Sequence, residues 1–235
     1  ESVKLSVAEA VCRVKWKSGA RLMTFVHATE PVGWFQFEGL PGAILPKLVP
    51  PAYEAPVPAS DAEKNSLTGK SLASLGYPEP ELAMDQTPFR YHQEGWGGFS
   101  YDVAVDWNLP EGGVVTGVWS VSSRYPEREG GTPWAGAPQF APDTVAGALK
   151  RTLAEDLRSH LAWWKAYWAK SKVELPDPVL EKQWYLETYK FGAASRRGAP
   201  PITLQAVWTA DDGGLPPWKG DFHNDLNTQL SYWPC

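Results

Sequence analysis

The pattern of apolar and polar positions divides the chain into two unlike parts. Near the start, short apolar runs lie on both sides of Ser18-Gly19, which predicts a β-hairpin. A further short aromatic strand is predicted at residues 33–37. Three later segments carry the same kind of pattern, and we expect strands at residues 89–93, 98–107 and 114–122. The first part of the chain is therefore predicted to be a β-sheet domain.

The segment 99–107 has the clearest alternation in the chain. Its odd positions are apolar, and its other positions include Ser100, Asp102 and Asp106. This predicts an antiparallel strand that buries one face and turns the three polar side chains away from the core. Residues 41–88 are rich in proline, which predicts a long excursion from the sheet. Together these features predict an antiparallel β-sandwich over residues 1–128.

In the second part of the chain the apolar period changes from two to that of a helix. Apolar residues recur at helical spacing from Val145 to Trp168, and either Asp143 or Thr144 is suited to cap the helix. The pattern predicts one long helix of roughly 40 Å at 1.5 Å per residue. Prolines then end this helix, because the residue before a proline disfavours helical angles.

A second helix is predicted over residues 177–194. We therefore divide the later chain into a connector with a linker helix, residues 129–173, and the start of a helical domain, residues 174–235. The chain has 13 Trp, and most of those in the helices are predicted to fill contacts between helices. Trp208 and Trp218 lie instead in Pro- and Gly-rich connections, where functional residues are frequent.

The net charge of −5 argues against one class of partner. No stripe of Lys and Arg is available to neutralise phosphates, so a nucleic-acid partner is not expected. No apolar run is long enough to span a membrane. Cys12 and Cys235 lie near opposite ends of the chain, which gives neither metal-ligand spacing nor a disulfide framework. Cys12 is predicted to be a small buried hydrophobic residue.

The densest chemical signal lies near the end of the chain. Every second residue over 221–229 can exchange hydrogen bonds, namely Asp221, His223, Asp225, Asn227 and Gln229. Three apolar residues between them are suited to anchor the segment to a core: Phe222, Leu226 and Leu230. Amides, carboxylates and nearby indole rings are the mixture that a neutral, hydroxyl-rich ligand requires. The pattern therefore predicts a sugar site.

A plainer interpretation of this segment stays open. Phe222, Leu226, Leu230 and Trp233 also fit the apolar stripe of a helix, which would leave the acidic residues on a solvated surface. A second candidate is the Gly-bounded aromatic turn at residues 91–98, with His92 and Glu94 available. We expect a hairpin turn packed by Trp96, or else a turn that reaches over the helical domain. Residues 211–214 are read as a turn, because the carboxylates of a full calcium loop are missing.

Residues 199–208 and 217–234 together resemble the start of the catalytic domain of glycoside hydrolase family 95, the α-L-fucosidase and α-L-galactosidase family. The first stretch reads Ala-Pro-Pro-Ile-Thr-Leu-Gln-Ala-Val-Trp, and the second reads Pro-Trp-Lys-Gly-Asp-Phe-His-Asn-Asp-Leu-Asn-Thr-Gln-Leu-Ser-Tyr-Trp-Pro. The family reads approximately Leu-Gln-Gly-Trp, then Pro-Trp, then Asp-Tyr-His-x-Asn-Ile-Asn-x-Gln-Met-Asn-Tyr-Trp-Pro. Order, spacing and residue type agree. The resemblance implies a β-super-sandwich, a linker helix and the first helices of an (α/α)6 barrel.

The resemblance also implies roles for the polar residues. In that family the second Asn of an Asn-x-Asn pair is the general base of an inverting hydrolysis, polarised by a carboxylate from much later in the chain. By position this residue is Asn227. The first Asn of the pair is replaced by Asp225, which can act as a base without help. The expected substrate-binding residues are His223, Trp218, Gln229, Trp208 and Asp221.

The expected function is therefore hydrolysis of a terminal, α-linked, fucose- or galactose-like sugar of a glycan by an inverting exo-acting enzyme. An (α/α)6 barrel needs twelve helices, whereas residues 174–235 have room for about three. We therefore expect a fragment of a larger enzyme that is inactive by itself and exposes apolar surface at its helical end. Neither a cofactor nor a metal is implied. The resemblance implies a periplasmic or secreted location, and the oligomeric state stays unknown.

The alternative is a non-catalytic carbohydrate-binding β-sandwich with a helical tail. In that case Trp34, Trp96 and Trp119 would stack on the sugar. The partner would still be a glycan, but no bond would be cleaved.

Overall fold

The computed structural model describes residues 1–40, 47–50, 52–54, 70–108, 112–124, 140–195, 201–204 and 221–233. Within these ranges the chain forms an antiparallel sheet followed by helices. The strands are β1 (Ser2–Ser6), β2 (Val11–Lys15), β3 (Arg21–Val26), β4 (Gly33–Glu38), β5 (Glu81–Ala83), β6 (Phe89–Glu94), β7 (Ser100–Trp107) and β8 (Val114–Arg124). The helices are α1 (Ala141–Ala148), α2 (Leu153–Trp168), α3 (Pro178–Ala194) and α4 (Leu226–Tyr232).

All eight described strands belong to one sheet, in the order β1-β2-β3-β4-β8-β7-β6-β5. Every neighbouring pair is antiparallel, and the hairpin predicted around Ser18-Gly19 is confirmed as β2 and β3. The crossover from β4 to β8 brings the two central strands together. The intervening chain returns through β5, β6 and β7 on the far side of β8. A sandwich of two sheets stays a prediction, since the described strands form a single layer.

The two faces of the sheet carry different cores. On one face, helix α1 and helix α2 pack against apolar side chains that include Val11, Phe25, Trp34, Ala104 and Val118. The other face carries a cluster around Phe35, Val105 and Val115, with Phe37, Phe89, Trp107 and Trp119 packed against it. Because both faces are covered near the centre, strand β7 buries residues on each side.

The predicted orientation of β7 is wrong for two of its three polar residues. Ser100 and Asp102 are buried, and Ala104 beside them has no exposed surface. The physical reason is that α1 lies on this face, in van der Waals contact with small side chains that let a helix approach the sheet closely. The sequence of β7 has no feature that shows where α1 will lie.

The single long helix predicted over residues 145–168 is also wrong. The structure has two helices, α1 and α2, separated by residues 149–152. Thr152 begins α2 with a capping box: its side chain accepts from the backbone N–H of Glu155, whose carboxylate accepts from the backbone N–H of Thr152. This box is the local signal for a new helix start, and it interrupts an apolar repeat that continues across the break. The helix predicted at residues 177–194 is confirmed as α3, with Asp177 as its N-cap.

Aromatic rings join α2 to α3, as predicted for the tryptophans of these helices. Trp164 is buried, and its ring centroid lies 5.4 Å from that of Tyr189. The Tyr167 hydroxyl donates to the backbone carbonyl of Thr188 at 2.8 Å. A Cβ at Gly192 would lie 2.7 Å from the Tyr167 ring, so the close approach of the two helices requires glycine there. None of the helices in the described part is both long enough and apolar enough to cross a bilayer.

A buried polar network fastens α2 to the sheet. Asp156 of α2 accepts hydrogen bonds from the Trp34 indole N–H of β4 at 2.8 Å and from Arg151 Nε at 2.8 Å. His27, just after β3, places its Nε2 atom 2.8 Å from Ser159 Oγ. The next residue in the helix is His160, whose Nε2 atom lies 2.7 Å from the Glu9 carbonyl oxygen. These bonds fix the rotation of α2 about its own axis, which apolar packing alone leaves loosely specified.

The network contains a group whose protonation we expect to weaken the fold. His27 Nδ1 accepts from the backbone N–H of Glu30 at 2.9 Å, so the imidazole is neutral and carries its proton on Nε2. Burial lowers the pKa of His27, and the nearby carboxylates of Asp156 and Glu30 offset only part of this effect. The lowered pKa means that the unfolded chain takes up a proton first as the pH falls below about 6.5.

We therefore predict that the free energy of unfolding falls between pH 7.5 and pH 5.5. The contribution from His27 has an upper limit of about 1.4 kcal/mol, which applies when the folded imidazole stays neutral over this range. The measurement is urea unfolding of the wild type and the His27→Gln variant at both pH values. Glutamine can donate to Ser159 but does not titrate, so the variant should lose less stability on acidification. An equal loss in both proteins would contradict the prediction. Comparison with the wild type removes the contributions of all other titrating groups.

Candidate active site

The segment with the predicted sugar-site residues ends in helix α4. Asp225 is the N-cap of α4, and its Oδ1 atom accepts from the backbone N–H of Asn227 at 3.4 Å. The first turn is completed by bonds from Thr228 N to the His223 carbonyl oxygen and from Gln229 N to the Asp225 carbonyl oxygen, each 3.1 Å long. The residues before the helix, 221–225, thus form a turn that places Asp225 and Asn227 next to each other.

The polar alternation predicted over residues 221–229 persists only as far as the start of α4. Two residues along an α-helix are rotated by about 200°, so Asn227 and Gln229 lie on opposite sides of α4. Before the helix, His223 Nε2 lies 3.6 Å from the Asp221 carboxylate. Asp221, Asp225, Asn227 and Gln229 are exposed, and His223 is half-buried. The predicted residues Trp208 and Trp218 lie outside the described residues, as do residues 211–214.

The apolar residues of this segment do not anchor it to a core, contrary to the prediction. Four of them are exposed: Phe222, Leu226, Leu230 and Trp233. Leu226, Leu230 and Trp233 have the i, i+4, i+7 spacing of one helix face, so α4 presents an apolar stripe to solvent. Val179 and Leu180 near the start of α3 are exposed as well. The apolar surface expected at the helical end of the chain is therefore present.

Within the described ranges, contacts to earlier parts of the chain hold α4 and the turn that precedes it. The backbone N–H of Ile202 donates to the Tyr232 hydroxyl at 2.7 Å, and the Tyr232 ring meets the Phe191 ring of α3 edge to face. The backbone N–H of Leu204 donates to the Asp221 carbonyl oxygen at 3.0 Å. Through these contacts the turn at residues 221–225 has a fixed position relative to α3, while its polar side chains stay open to a ligand.

Residues 143–235 match the family model described as "Glycosyl hydrolase family 95 catalytic domain". The chain thus resembles this family, as the motifs around α4 predict, and the match extends upstream through α3 and α2. A curated relative, "Probable alpha-fucosidase A" of Aspergillus niger, is 28% identical over 38% of this chain and 14% of its own length. The family match covers the helical part of the chain, where the candidate site lies.

A solved structure titled "Putative kojibiose phosphorylase from human microbiome" has a similar fold, with a TM-score of 0.55 and 8% sequence identity. It covers 92% of this chain, so the likeness includes the sheet as well as the helices. At this identity the similarity concerns the fold alone. The chain spans 14% of the length of the fucosidase relative and 29% of the phosphorylase chain.

A second polar cluster lies on the β6–β7 hairpin and includes the two residues singled out from the sequence, His92 and Glu94. His92 Nδ1 lies 2.9 Å from Asp102 Oδ1, and His92 Nε2 lies 3.0 Å from Glu94 Oε1. Arg90 donates to the same Asp102 atom at 2.6 Å. Both imidazole nitrogens face carboxylate oxygens, an arrangement that favours the protonated ring. Burial lowers the pKa of His92, but the bonds to Glu94 and Asp102 outweigh it and the net pKa is raised.

Arg90 and Asp102 also belong to this cluster, and neither was predicted from the sequence to do so. The available signal is the period of two in β6, which places residues 90, 92 and 94 on one face. Asp102 lies directly opposite His92 in the register of β6 and β7. Sequence alone does not give this register. Across the described ranges no group of three or more His, Cys, Asp or Glu residues is placed to hold a metal ion.

The alternative sugar-binding interpretation relies on three tryptophans, and these differ in burial. Trp34 is only 1% exposed and bonded to Asp156, so the expectation that it stacks on a ligand is wrong. Trp119 packs in the cluster on the opposite face of the sheet and lies over Gly33. Trp96 does not pack the hairpin turn, contrary to the expectation, because it is 84% exposed. Trp119 is half-buried, so Trp96 is the most exposed of the three rings.

Proposed function

We propose that this chain contributes the N-terminal sheet domain, the linker helix and the start of the catalytic domain of an inverting glycoside hydrolase. The observation that carries this proposal is the match of residues 143–235 to a family 95 catalytic domain, together with exposed Asn227 and Asp225 at the start of α4. The substrate class is a terminal α-linked sugar of a glycan, fucose- or galactose-like. The similarity to a probable α-fucosidase supports fucose as the first sugar to test.

In the proposed reaction a water molecule attacks the anomeric carbon from the face opposite the leaving oxygen. Asn227 or Asp225 receives the hydrogen bond from this water and orients it. With Asp225 as the base, the carboxylate takes the proton directly. With Asn227, the proton passes on to a carboxylate that polarises the amide. A carboxylic acid across the sugar protonates the leaving oxygen, at the separation of about 6.5–9.5 Å that inverting enzymes use.

The acid and the polarising carboxylate are proposed to come from sequence outside these 235 residues, since the chain spans 14% of its fucosidase relative. The remaining barrel would also cover the apolar stripe of α4 and the exposed end of α3. By this proposal the 235-residue chain binds no substrate productively and has no hydrolase activity by itself. Super-sandwich and barrel architecture are part of the same proposal.

The test is hydrolysis of 4-nitrophenyl α-L-fucoside and the two corresponding α-galactosides by the natural protein with all of its sequence. Proton NMR of the first product should show the β-anomer, because attack opposite the leaving oxygen inverts an α-linkage. Release of the α-anomer first would contradict inversion, and absence of any sugar release would contradict the hydrolase proposal. The 235-residue chain, assayed in parallel, is expected to release no sugar.

A further inference from the structure

The turn at the tip of the β6–β7 hairpin exposes the indole ring of Trp96 to solvent, and backbone hydrogen bonds define the turn. The backbone N–H of Gly95 donates to the Phe99 carbonyl oxygen at 2.6 Å, and that of Phe99 donates to the Trp96 carbonyl oxygen at 3.3 Å. Gly97 and Gly98 have φ angles of 66° and 82°, which L-residues rarely adopt. The turn therefore fixes the position of Trp96, and the exposure of the ring follows from the backbone.

A hydrogen-bonded chain of side chains leads from the sheet to this tip. It runs from Arg90 through Asp102 and His92 to Glu94, and the contacts are 2.6, 2.9 and 3.0 Å long. The side chains of Asp102 and His92 are almost buried, whereas that of Glu94 is 53% exposed. Glu94 uses Oε1 for His92, which leaves Oε2 to accept a hydrogen bond from a ligand. The buried members hold this carboxylate in one orientation.

The oriented carboxylate and the exposed ring lie two residues apart, so their Cα atoms are within about 7 Å of each other. A ring face stacks on the C–H face of a sugar, and a fixed carboxylate accepts from sugar hydroxyls. The exposed member of the cluster is the Glu94 carboxylate, which disfavours phosphates and other anions. The combination fits a neutral sugar unit.

We propose that the hairpin tip is a carbohydrate-binding site in which a neutral sugar of a glycan stacks on Trp96 and donates a hydroxyl hydrogen bond to Glu94. The choice of a glycan as ligand rests on the proposed function. The site itself does not use Asn227 or Asp225, and it cleaves no bond. The hairpin site binds one sugar unit of the glycan, and a different sugar unit is hydrolysed. His92 is a positioning residue for Glu94.

The test is an NMR titration of the 15N-labelled chain with methyl α-L-fucoside, methyl α-D-galactoside and lactose. The indole N–H signal of Trp96 is assigned by its absence from the Trp96→Phe variant. At least one sugar should shift this signal in the wild type, and Trp96→Ala should weaken binding about tenfold or more. Trp96→Phe, which keeps an aromatic face, should retain most of the affinity. Glu94→Gln, at an exposed side chain, should weaken binding several-fold without lowering the unfolding midpoint. His92→Gln should weaken binding several-fold as well, through the lost orientation of Glu94.

Trp233→Ala is the matched control, because Trp233 is also a tryptophan with a large exposed fraction, 73%. The control should bind sugar as the wild type does. Three results would overturn the proposal. The first is that no sugar shifts the Trp96 signal, and the second is that the control loses as much affinity as Trp96→Ala. The third is that tetramethylammonium, a cation, displaces the sugar and binds more tightly than it does.

The failure of this proposal is distinguishable from failure of the proposed function. Sugar binding is measured again in the Asn227→Ala background, where the hairpin site must keep its affinity. Loss of binding there would place the sugar at α4 and overturn the hairpin site alone. Hydrolysis by the natural protein without any sugar at the hairpin would leave the hydrolase proposal standing.

Discussion

Replacing Asp156 with alanine is expected to lower the free energy of unfolding by about 3 kcal/mol, because it leaves two donors in the sheet–helix interface without an acceptor. Asp156 is 5% exposed and accepts from Trp34 through Oδ2 and from Arg151 through both oxygens. Breaking one partner of a buried pair costs about 3–5 kcal/mol. We place the effect at the low end, since the Arg151 side chain is 41% exposed and can regain water.

The protonation of Asp156 agrees with this role. Burial raises the pKa of its carboxyl, but the hydrogen bonds from Arg151 and Trp34 outweigh burial, and the net pKa is lowered. A lowered pKa means that the carboxylate contributes its full stability above the ordinary aspartate pKa of about 3.9 and loses it as the pH falls through the folded-state value. At neutral pH the network is therefore fully formed.

Urea unfolding at pH 7 measures the effect. Asp143→Ala is the matched control, because Asp143 is an exposed aspartate in the first turn of α1. Apart from the lost interaction of Asp143 with the N-terminal end of α1, Asp143→Ala should lower the free energy of unfolding by well under 1 kcal/mol. Trp34→Phe removes the indole N–H donor together with part of a buried ring, so it has a packing cost of its own. Combined with Asp156→Ala it should show less than additive loss, because the shared hydrogen bond is lost only once. If Asp156→Ala and Asp143→Ala destabilise the chain equally, the network does not fasten α2 to the sheet.

The strands were predictable because their signals are local. Period-two patterns and the turn at Ser18-Gly19 lie within a few residues, and the structure confirms hairpin β2–β3 as well as β6, β7 and β8. The burial of Asp102 was not predictable, because it depends on α1, which follows β8 in sequence and packs across both strands. The break before α2 was readable from Thr152 and Glu155, but a continuous apolar repeat concealed it.

The residues of the candidate site were proposed from the sequence, whereas their geometry could not be predicted from it. The motif around residues 221–233 led to the family that residues 143–235 also match. Its alternation suggested one polar face, whereas α4 begins at Leu226 and turns Asn227 and Gln229 apart. The reason is the side chain of Asp225, which accepts a hydrogen bond from the backbone N–H of Asn227. This N-cap bond favours a helix after Asp225, although the alternating pattern is typical of an extended strand. Which of these side chains meet a substrate stays a prediction.

Replacing Asn227 with alanine is expected to lower kcat for fucoside hydrolysis by the natural protein about a thousandfold, within the range of 10²–10⁴ for loss of a general base. Asn227 is exposed, and its backbone N–H, which Asp225 uses, survives the substitution. The unfolding midpoint should therefore stay unchanged. Asn224→Ala is the matched control, since Asn224 is an exposed asparagine three positions earlier in the same turn. It should keep activity within a few-fold.

Asp225→Asn separates the two candidate bases. Asparagine is as good an N-cap as aspartate, so this variant keeps the start of α4 and removes only the carboxylate. If Asn227 is the base, Asp225→Asn retains substantial activity while Asn227→Ala loses it. If Asp225 has taken over the role, the order of the two variants is reversed. Near wild-type kcat in both variants would exclude the start of α4 as the place where water is activated, and the catalytic base would then have to be sought elsewhere in the protein.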